Sequence, residues 1–218
     1  MTHLPKKLKV SILTSGIEHN IDNLIEIQND YPDLFFIFQL ITNKKEIIQR
    51  YETRRENEGE NSFLFNIQFF LIGFDEMNNQ LKKDEKDYYM TISTQILDII
   101  KKHNIDVLIL DSFYVILVDP LISDYSGRIL NVHPSLLPKF KGKGMFGKNV
   151  HKAVIESKEK ESGVTVHLVE AEIDSGEILS QKVVKVEEKE TPDSLSMKIN
   201  NIRQYAICDA LKILQRRI

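Results

Sequence analysis

Short apolar runs alternate along this chain with amphipathic stretches, and the two periods separate strands from helices. Residues 8–14 (LKVSILT) predict a buried first strand, and Ser15-Gly16 a turn into a helix over residues 21–28. There Ile21, Leu24, Ile25 and Ile27 recur close to a 3.6-residue period. Residues 35–42 predict a second strand, residues 44–56 a charged surface helix, and residues 63–72 a third apolar run. Between them residues 54–61 are polar, acidic and aperiodic, which predicts a mobile loop or a frayed helix end. Residues 87–104 carry Tyr89, Ile92, Ile96, Leu97 and Ile100 at helical spacing and lead into a strand over residues 106–110. A further β-like segment reaches His133. A short helix follows at residues 149–157, then strands at 164–169 and 177–186 on either side of a turn at Asp174. Thr191-Pro192 opens a long amphipathic helix, with Pro192 near the N-terminus where its missing N–H costs little. Strands alternating with helices predict an α/β fold: one domain over residues 1–218, a doubly wound, mostly parallel, Rossmann-like sheet flanked by helices.

One stretch, RILNVHPSLLP at residues 128–138, carries more than fold information. Asn131 and His133 are two apart, so on a strand both point to one face while Val132 turns into the core. Pro134 cannot donate a ladder hydrogen bond, so the strand stops there with both polar groups at its C-terminal edge. Open α/β sheets bind ligands along that edge.

Composition adds only boundaries. The 218 residues suit one domain with a sizeable core. With 42% apolar residues and a formal charge of −3, the chain has no bias toward a polyanionic partner, so nucleic acid is not expected. The apolar run behind the basic N-terminus is about seven residues long, too short for a secretion signal or a membrane span. A cytoplasmic location and no membrane partner are therefore expected. Cys208 is the only cysteine, which excludes an internal disulfide and a Cys-based zinc site and predicts a small buried hydrophobe.

The text N-x-H-P-S-L-L-P resembles the active-site strand of the folate-dependent formyltransferases. The downstream motifs GKGMFG (142–147), SGVTVH (162–167) and IDSG (173–176) resemble the branch of that family that acts on glycinamide ribonucleotide. The resemblance runs from about Asp106 to the C-terminus and implies a catalytic trio of Asn131, His133 and Asp174. It also implies 10-formyltetrahydrofolate as co-substrate, with no metal. Formyl transfer to an amine passes through a tetrahedral oxyanion, so the site needs donors aimed at that oxygen and a group that manages the amine's proton. Asn131 offers an uncharged donor, and His133 an imidazole that titrates near neutrality. Asp174, if close, is expected to raise the His133 pKa and relay the proton through water. Ser135 lies beyond the strand end and is not expected to be a nucleophile. His167 is either a site-facing polar residue or a satisfied sheet histidine. Lys141, Lys143 and Lys148 in the glycine-rich loop either close over a phosphorylated substrate or form a solvated basic loop. Glu170 and Glu172 have no accompanying histidine spacing and are expected to be solvated rather than metal ligands.

On the cofactor side the resemblance implies a pterin pocket lined by Phe113, Tyr114, Val115, Ile116 and Leu117 with Glu170, Ala171, Glu172 and Ile173. Here the chain departs from the family, which usually has an arginine at the position of Val115 and Ala-Gly at Asp111-Ser112. The departure is larger on the acceptor side. Where the family has S-G-x-G-S-N after the first strand, this chain has Ser15-Gly16-Ile17-Glu18-His19-Asn20. Gly16 and Asn20 remain, His19 stands in the serine position, and Glu18 opposes a phosphate. On the last helix the expected glutamine and glutamate are Asn200 and Arg203, and an arginine is able to replace the lost phosphate charge. The leading expectation is formyl transfer to the primary amine of glycinamide ribonucleotide in purine biosynthesis, with a homodimer left open. The alternatives are an N-formyltransferase for a nucleotide-linked amino sugar, and a non-catalytic folate- or nucleotide-binding paralogue. A formyltetrahydrofolate hydrolase is expected to carry an additional N-terminal domain, and a methionyl-tRNA formyltransferase a C-terminal RNA-binding domain.

Overall fold

A computed structural model describes residues 5–16, 20–59, 62–73 and 85–218. Its seven strands form one sheet in the order β3-β2-β1-β4-β5-β6-β7. They are β1 (Leu8–Thr14), β2 (Phe35–Thr42), β3 (Gln68–Leu71), β4 (Val107–Leu110), β5 (Ile129–His133), β6 (Glu161–Leu168) and β7 (Ile178–Lys185). The first five pair in parallel, and β6 and β7 continue the sheet antiparallel. The helices among the described residues are α1 (Asn20–Ile27), α2 (Lys45–Glu58), α3 (Glu85–Lys102), α4 (Leu121–Asp124), α5 (Lys148–Glu156) and α6 (Pro192–Gln215), with a 3-10 turn at Gln28–Asp30.

Alternation along the central strands divides the interior into two cores. Val10, Ile12, Val107 and Ile109 pack with Ile21, Ile47, Val150 and Leu211 from α1, α2, α5 and α6. Leu13, Leu108 and Leu110 face the opposite side, against Ile92, Ile96 and Ile100 of α3 and Leu121 of α4. Strands covered on both faces lose the polar alternation of a half-exposed strand, which is why β4 reads as a continuous apolar run. Cys208 is 1% exposed within the first core, and burial pushes its thiol up to about 12, as suits a small hydrophobe.

Two segments differ from the sequence reading. The aperiodic stretch after residue 54 is helical through Glu58, because Arg54 reaches Asp22 at 3.0 Å and Glu58 at 2.5 Å while Tyr51 donates to Asp22 at 2.9 Å. Tertiary ion pairs supply what the missing apolar period does not, and α2 stops at Gly59 with φ 67°. In the third apolar run only Gln68–Leu71 is a strand, while Phe63 and Phe65 are 53% and 51% exposed. Among the described residues no helix is long and apolar enough to cross a membrane.

Candidate active site

Strand β5 ends at His133, and the chain then turns through Pro134 as the sequence predicts. Val132 enters the first core while Asn131 and His133 share the other face. Antiparallel pairing sets Asn131 opposite His167 of β6. Beyond β6 the turn at Asp174, itself in left-handed backbone with φ 53°, swings its carboxylate back over both. Gly176 makes this approach feasible, because a Cβ there would lie 2.0 Å from the Leu168 carbonyl oxygen.

The result is a closed polar network. Asn131 Nδ2 donates to His167 Nε2 at 3.1 Å and to Asp174 Oδ1 at 3.2 Å. His167 Nδ1–H donates to the Leu168 carbonyl at 2.8 Å, which leaves Nε2 free to accept. His133 Nε2–H donates to the Phe140 carbonyl at 2.8 Å, so its Nδ1 faces Asp174 Oδ2 at 3.6 Å. The same Asp174 oxygen accepts from the Gly142 N–H at 2.9 Å, tying the glycine-rich loop to the carboxylate. The side chains of His133, His167 and Asp174 are 3%, 2% and 6% exposed.

Burial settles the resting charges. It holds the His133 imidazole below its usual value, outweighing Asp174 and the Phe140 carbonyl, which pull upward. Asp174 does pull this pKa upward, as expected, but desolvation is larger and sets the net direction. For Asp174 burial pushes up, yet the His167 ring, the Gly142 N–H and the His133 ring together hold it below the usual carboxylate range. A neutral imidazole beside a carboxylate, with carbonyl and carboxylate oxygens at its two nitrogens, is built to accept a proton.

These groups open onto a cleft of about 300 Å³ at the C-terminal edge of the parallel strands. Phe113, Tyr114, Val115, Ile116, Leu117, Glu170, Ala171, Glu172 and Ile173 all line it. Tyr114 and Phe146 meet at its mouth, with ring centroids 5.3 Å apart. Glu170 and Glu172 are exposed, and Lys141 lies 3.7 Å from Glu172. Lys143 and Lys148 line the cleft and face Glu85 at 4.0 Å and Asp193 at 2.6 Å. Among the described residues no group of histidine, cysteine and acidic side chains is arranged to hold a metal ion. Ser135 is fully buried and its hydroxyl donates to the Lys139 carbonyl at 3.0 Å, a turn-locking role.

The acceptor-side expectations fare differently. Glu18 and His19 lie outside the described residues, and Asn20 opens α1. Gly16 is not among the residues lining the cleft, and its N–H faces Thr14 Oγ1 at 3.3 Å. Its lack of a side chain serves packing instead: a Cβ there would lie 3.1 Å from Ser112 Cβ, where the loops after β1 and β4 meet. Ser112 adopts a left-handed backbone with φ 57°, the conformation that suits the glycine expected at that position. Asn200 and Arg203 do line the cleft. Arg203 is not a free cation, however: it is 5% exposed and its guanidinium is ion-paired with Asp111. That corrects its expected role as a replacement phosphate charge. Sequence reasoning missed His151 and Ser196, which also line the cleft. A histidine within an ordinary helical pattern carries no signal of the face it occupies.

Comparison with known proteins follows this geometry. The family model described as Formyl transferase matches residues 8–211. The chloroplastic phosphoribosylglycinamide formyltransferase of Arabidopsis thaliana is 31% identical over 198 residues, covering 91% of this chain and 62% of the relative. The trifunctional purine biosynthetic protein adenosine-3 of Bos taurus is 29% identical over 210 residues, covering 96% of this chain and 18% of the relative. The chain thus spans about three-fifths of the first relative and under a fifth of the second. Among solved structures, phosphoribosylglycinamide formyltransferase from Bacillus halodurans superposes with a TM-score of 0.75 at 25% identity, covering 96% and 97% of the two chains.

Proposed function

Because the chain belongs to the formyl transferase family, we propose that it moves the formyl group of 10-formyltetrahydrofolate onto the primary amine of glycinamide ribonucleotide. That two of its relatives are phosphoribosylglycinamide formyltransferases supports that choice of acceptor. The single observation that carries the reading is the meeting of Asn131, His133 and Asp174, up to 43 positions apart, in one buried cluster on a cleft, with Asn131 donating to Asp174 and His133 Nδ1 3.6 Å from the same carboxylate. In this proposal Asn131 keeps one amide N–H on His167, and the other leaves Asp174 for the oxygen of the formyl group as that oxygen gains negative charge. His133 Nδ1 takes the proton that the amine releases, directly or through water. The imidazolium so formed is held between the Phe140 carbonyl and Asp174. The residues at 113–117 and 170–173 hold the folate co-substrate, chiefly through apolar walls and backbone groups.

Single-turnover formylation of glycinamide ribonucleotide, run beside a panel of nucleotide-linked amino sugars, tests the proposal. Glycinamide ribonucleotide is expected to be formylated far faster than any amino sugar. Formylation of an amino sugar alone overturns the acceptor. Tight folate-analogue binding with no turnover on any amine overturns the activity itself.

A further inference from the structure

At the end of the sheet away from the cleft, lysines and aromatic rings stand side by side. Lys9 of β1 pairs in register with Phe36 of β2, and Phe38 follows two residues on, on the same face. Lys9 Nζ lies 3.6 Å from the centroid of the Phe38 ring, and Lys7 Nζ 5.6 Å from that of Phe36. His103, one residue past the end of α3, stands between Phe38 and Phe70 of β3, with centroids 5.5 Å and 5.4 Å away. Lys9 also donates to the His103 carbonyl at 2.7 Å. The three phenylalanines are partly buried, while Lys7 and Lys102 are exposed.

Charge sets this face apart. Other lysines nearby are matched, Lys6 with Asp106 and Lys101 with Asp124, and Lys212, which also lies over a ring, is matched with Asp209. Among the described residues Lys7, Lys9 and Lys102 form no ion pair. Their field reaches the neighbouring imidazole: burial, then the charges of Lys102 and Lys9, hold the His103 pKa below its ordinary value. In a chain of formal charge −3, this face therefore draws an anionic partner against the sign of the molecule as a whole. Two kinds of polyanion have to be separated. A nucleic acid needs bare ring faces on which its bases stack. Here Lys9 caps Phe38, and His103 tilts against Phe38 and Phe70 at 44° and 49°, so no flat open platform is left. Carboxylates need only the ammonium groups, and the partly buried rings between them receive the aliphatic carbons of an acidic side chain.

We propose that this face is a docking site for an acidic segment of a partner protein, whose carboxylates meet Lys7, Lys9 and Lys102 beside Phe36 and Phe70. The cleft opens at the opposite, C-terminal ends of the strands, so docking leaves it unobstructed. The test titrates hexaglutamate into the full chain at low ionic strength, with a thymidine hexanucleotide as the competing polyanion. Binding is followed by calorimetry and by the His103 ring resonance. Hexaglutamate is expected to bind, to shift that resonance, and to be released as salt is raised. Lys9→Gln with Lys102→Gln should weaken binding about tenfold, since each exposed pair contributes up to about fivefold. Lys212→Gln should leave the affinity unchanged. Because Lys9 also packs on Phe38, Lys102→Glu decides alone if the double variant does not fold, and it should weaken binding more than Lys102→Gln.

Failure of hexaglutamate to bind overturns the inference. So does binding that leaves the His103 resonance in place, or an affinity indifferent to Lys102→Glu. Tighter binding of the hexanucleotide would assign the face to nucleic acid, and self-association lost in Lys102→Glu would assign it to a second copy. Either result overturns the acidic segment as occupant.

Discussion

Asp174 pulls the His133 pKa upward while burial pulls it down, and burial prevails. If neutral His133 is the proton acceptor, activity fails on acidification only once the ring is protonated, so the acid limb of kcat/KM should lie below pH 6.5, the ordinary histidine value. Asp174→Asn removes the upward pull and should move that limb to still lower pH while cutting turnover by about two to four powers of ten. Folate-analogue affinity should hardly change. A pH–rate series on both proteins checks this, and wild-type turnover in the variant would remove Asp174 from the mechanism. His151 makes a separate prediction about stability. Its folded value of about 4 lies below the ordinary 6.5, so unfolding takes up a proton in that window. Stability is fully present above about pH 6.5 and falls as pH drops toward 4, by up to about 1.4 kcal/mol per unit from this one group. His151→Gln should flatten that part of the curve in urea titrations between pH 4 and 7. An unchanged slope would show that His151 titrates normally.

The turn between β6 and β7 shows why a motif glycine stands where it does. With a Cβ at Gly176 only 2.0 Å from the Leu168 carbonyl oxygen, backbone has to move before any side chain fits. Gly176→Ala should destabilise the chain by about 1–3 kcal/mol or more. It should also lower turnover, because the displaced turn carries Asp174. Denaturant midpoints read beside kcat would show whether the two losses arrive together; full activity in a destabilised variant would mean that the carboxylate is positioned independently of the turn. At the start of α6 the order of dependence is local. Thr191 Oγ1 accepts the Ser194 N–H at 3.1 Å and Ser194 Oγ accepts the Thr191 N–H at 3.0 Å, a reciprocal cap at the helix start that Thr191-Pro192 marks in the sequence. Thr191→Ala should cost about 1 kcal/mol by thermal or urea melting and leave turnover unchanged.

Across the molecule, β1, β4 and β5 lie in the middle of the sheet between two cores, while β3 and β7 are its edges. Amide exchange should therefore be slowest in β1 and β4 and fastest among strands in β3 and β7, and uniform protection across the sheet would contradict that division. Much of this architecture was legible in the chain. Apolar period sets strand against helix through neighbours two to four residues apart, so β1, β2, β5, α3 and α6 could be placed from local text. Asn131, Val132 and His133 had to divide between two faces for the same reason, and Pro134 had to end their strand. Tertiary structure decided what depends on partners remote in sequence. Arg203 is committed to Asp111, 92 positions away, so a residue readable as a free phosphate ligand is a neutralised part of a wall. The His133 pKa turns on how much water the fold removes, which no spacing records. His151 gained its place in the cleft from the way α5 packs beside α6, and Gly16 its need for glycine from the loop at Ser112. Local preferences act over a few bonds, whereas charge pairing, desolvation and close approach act through space between segments that only the folded chain brings together.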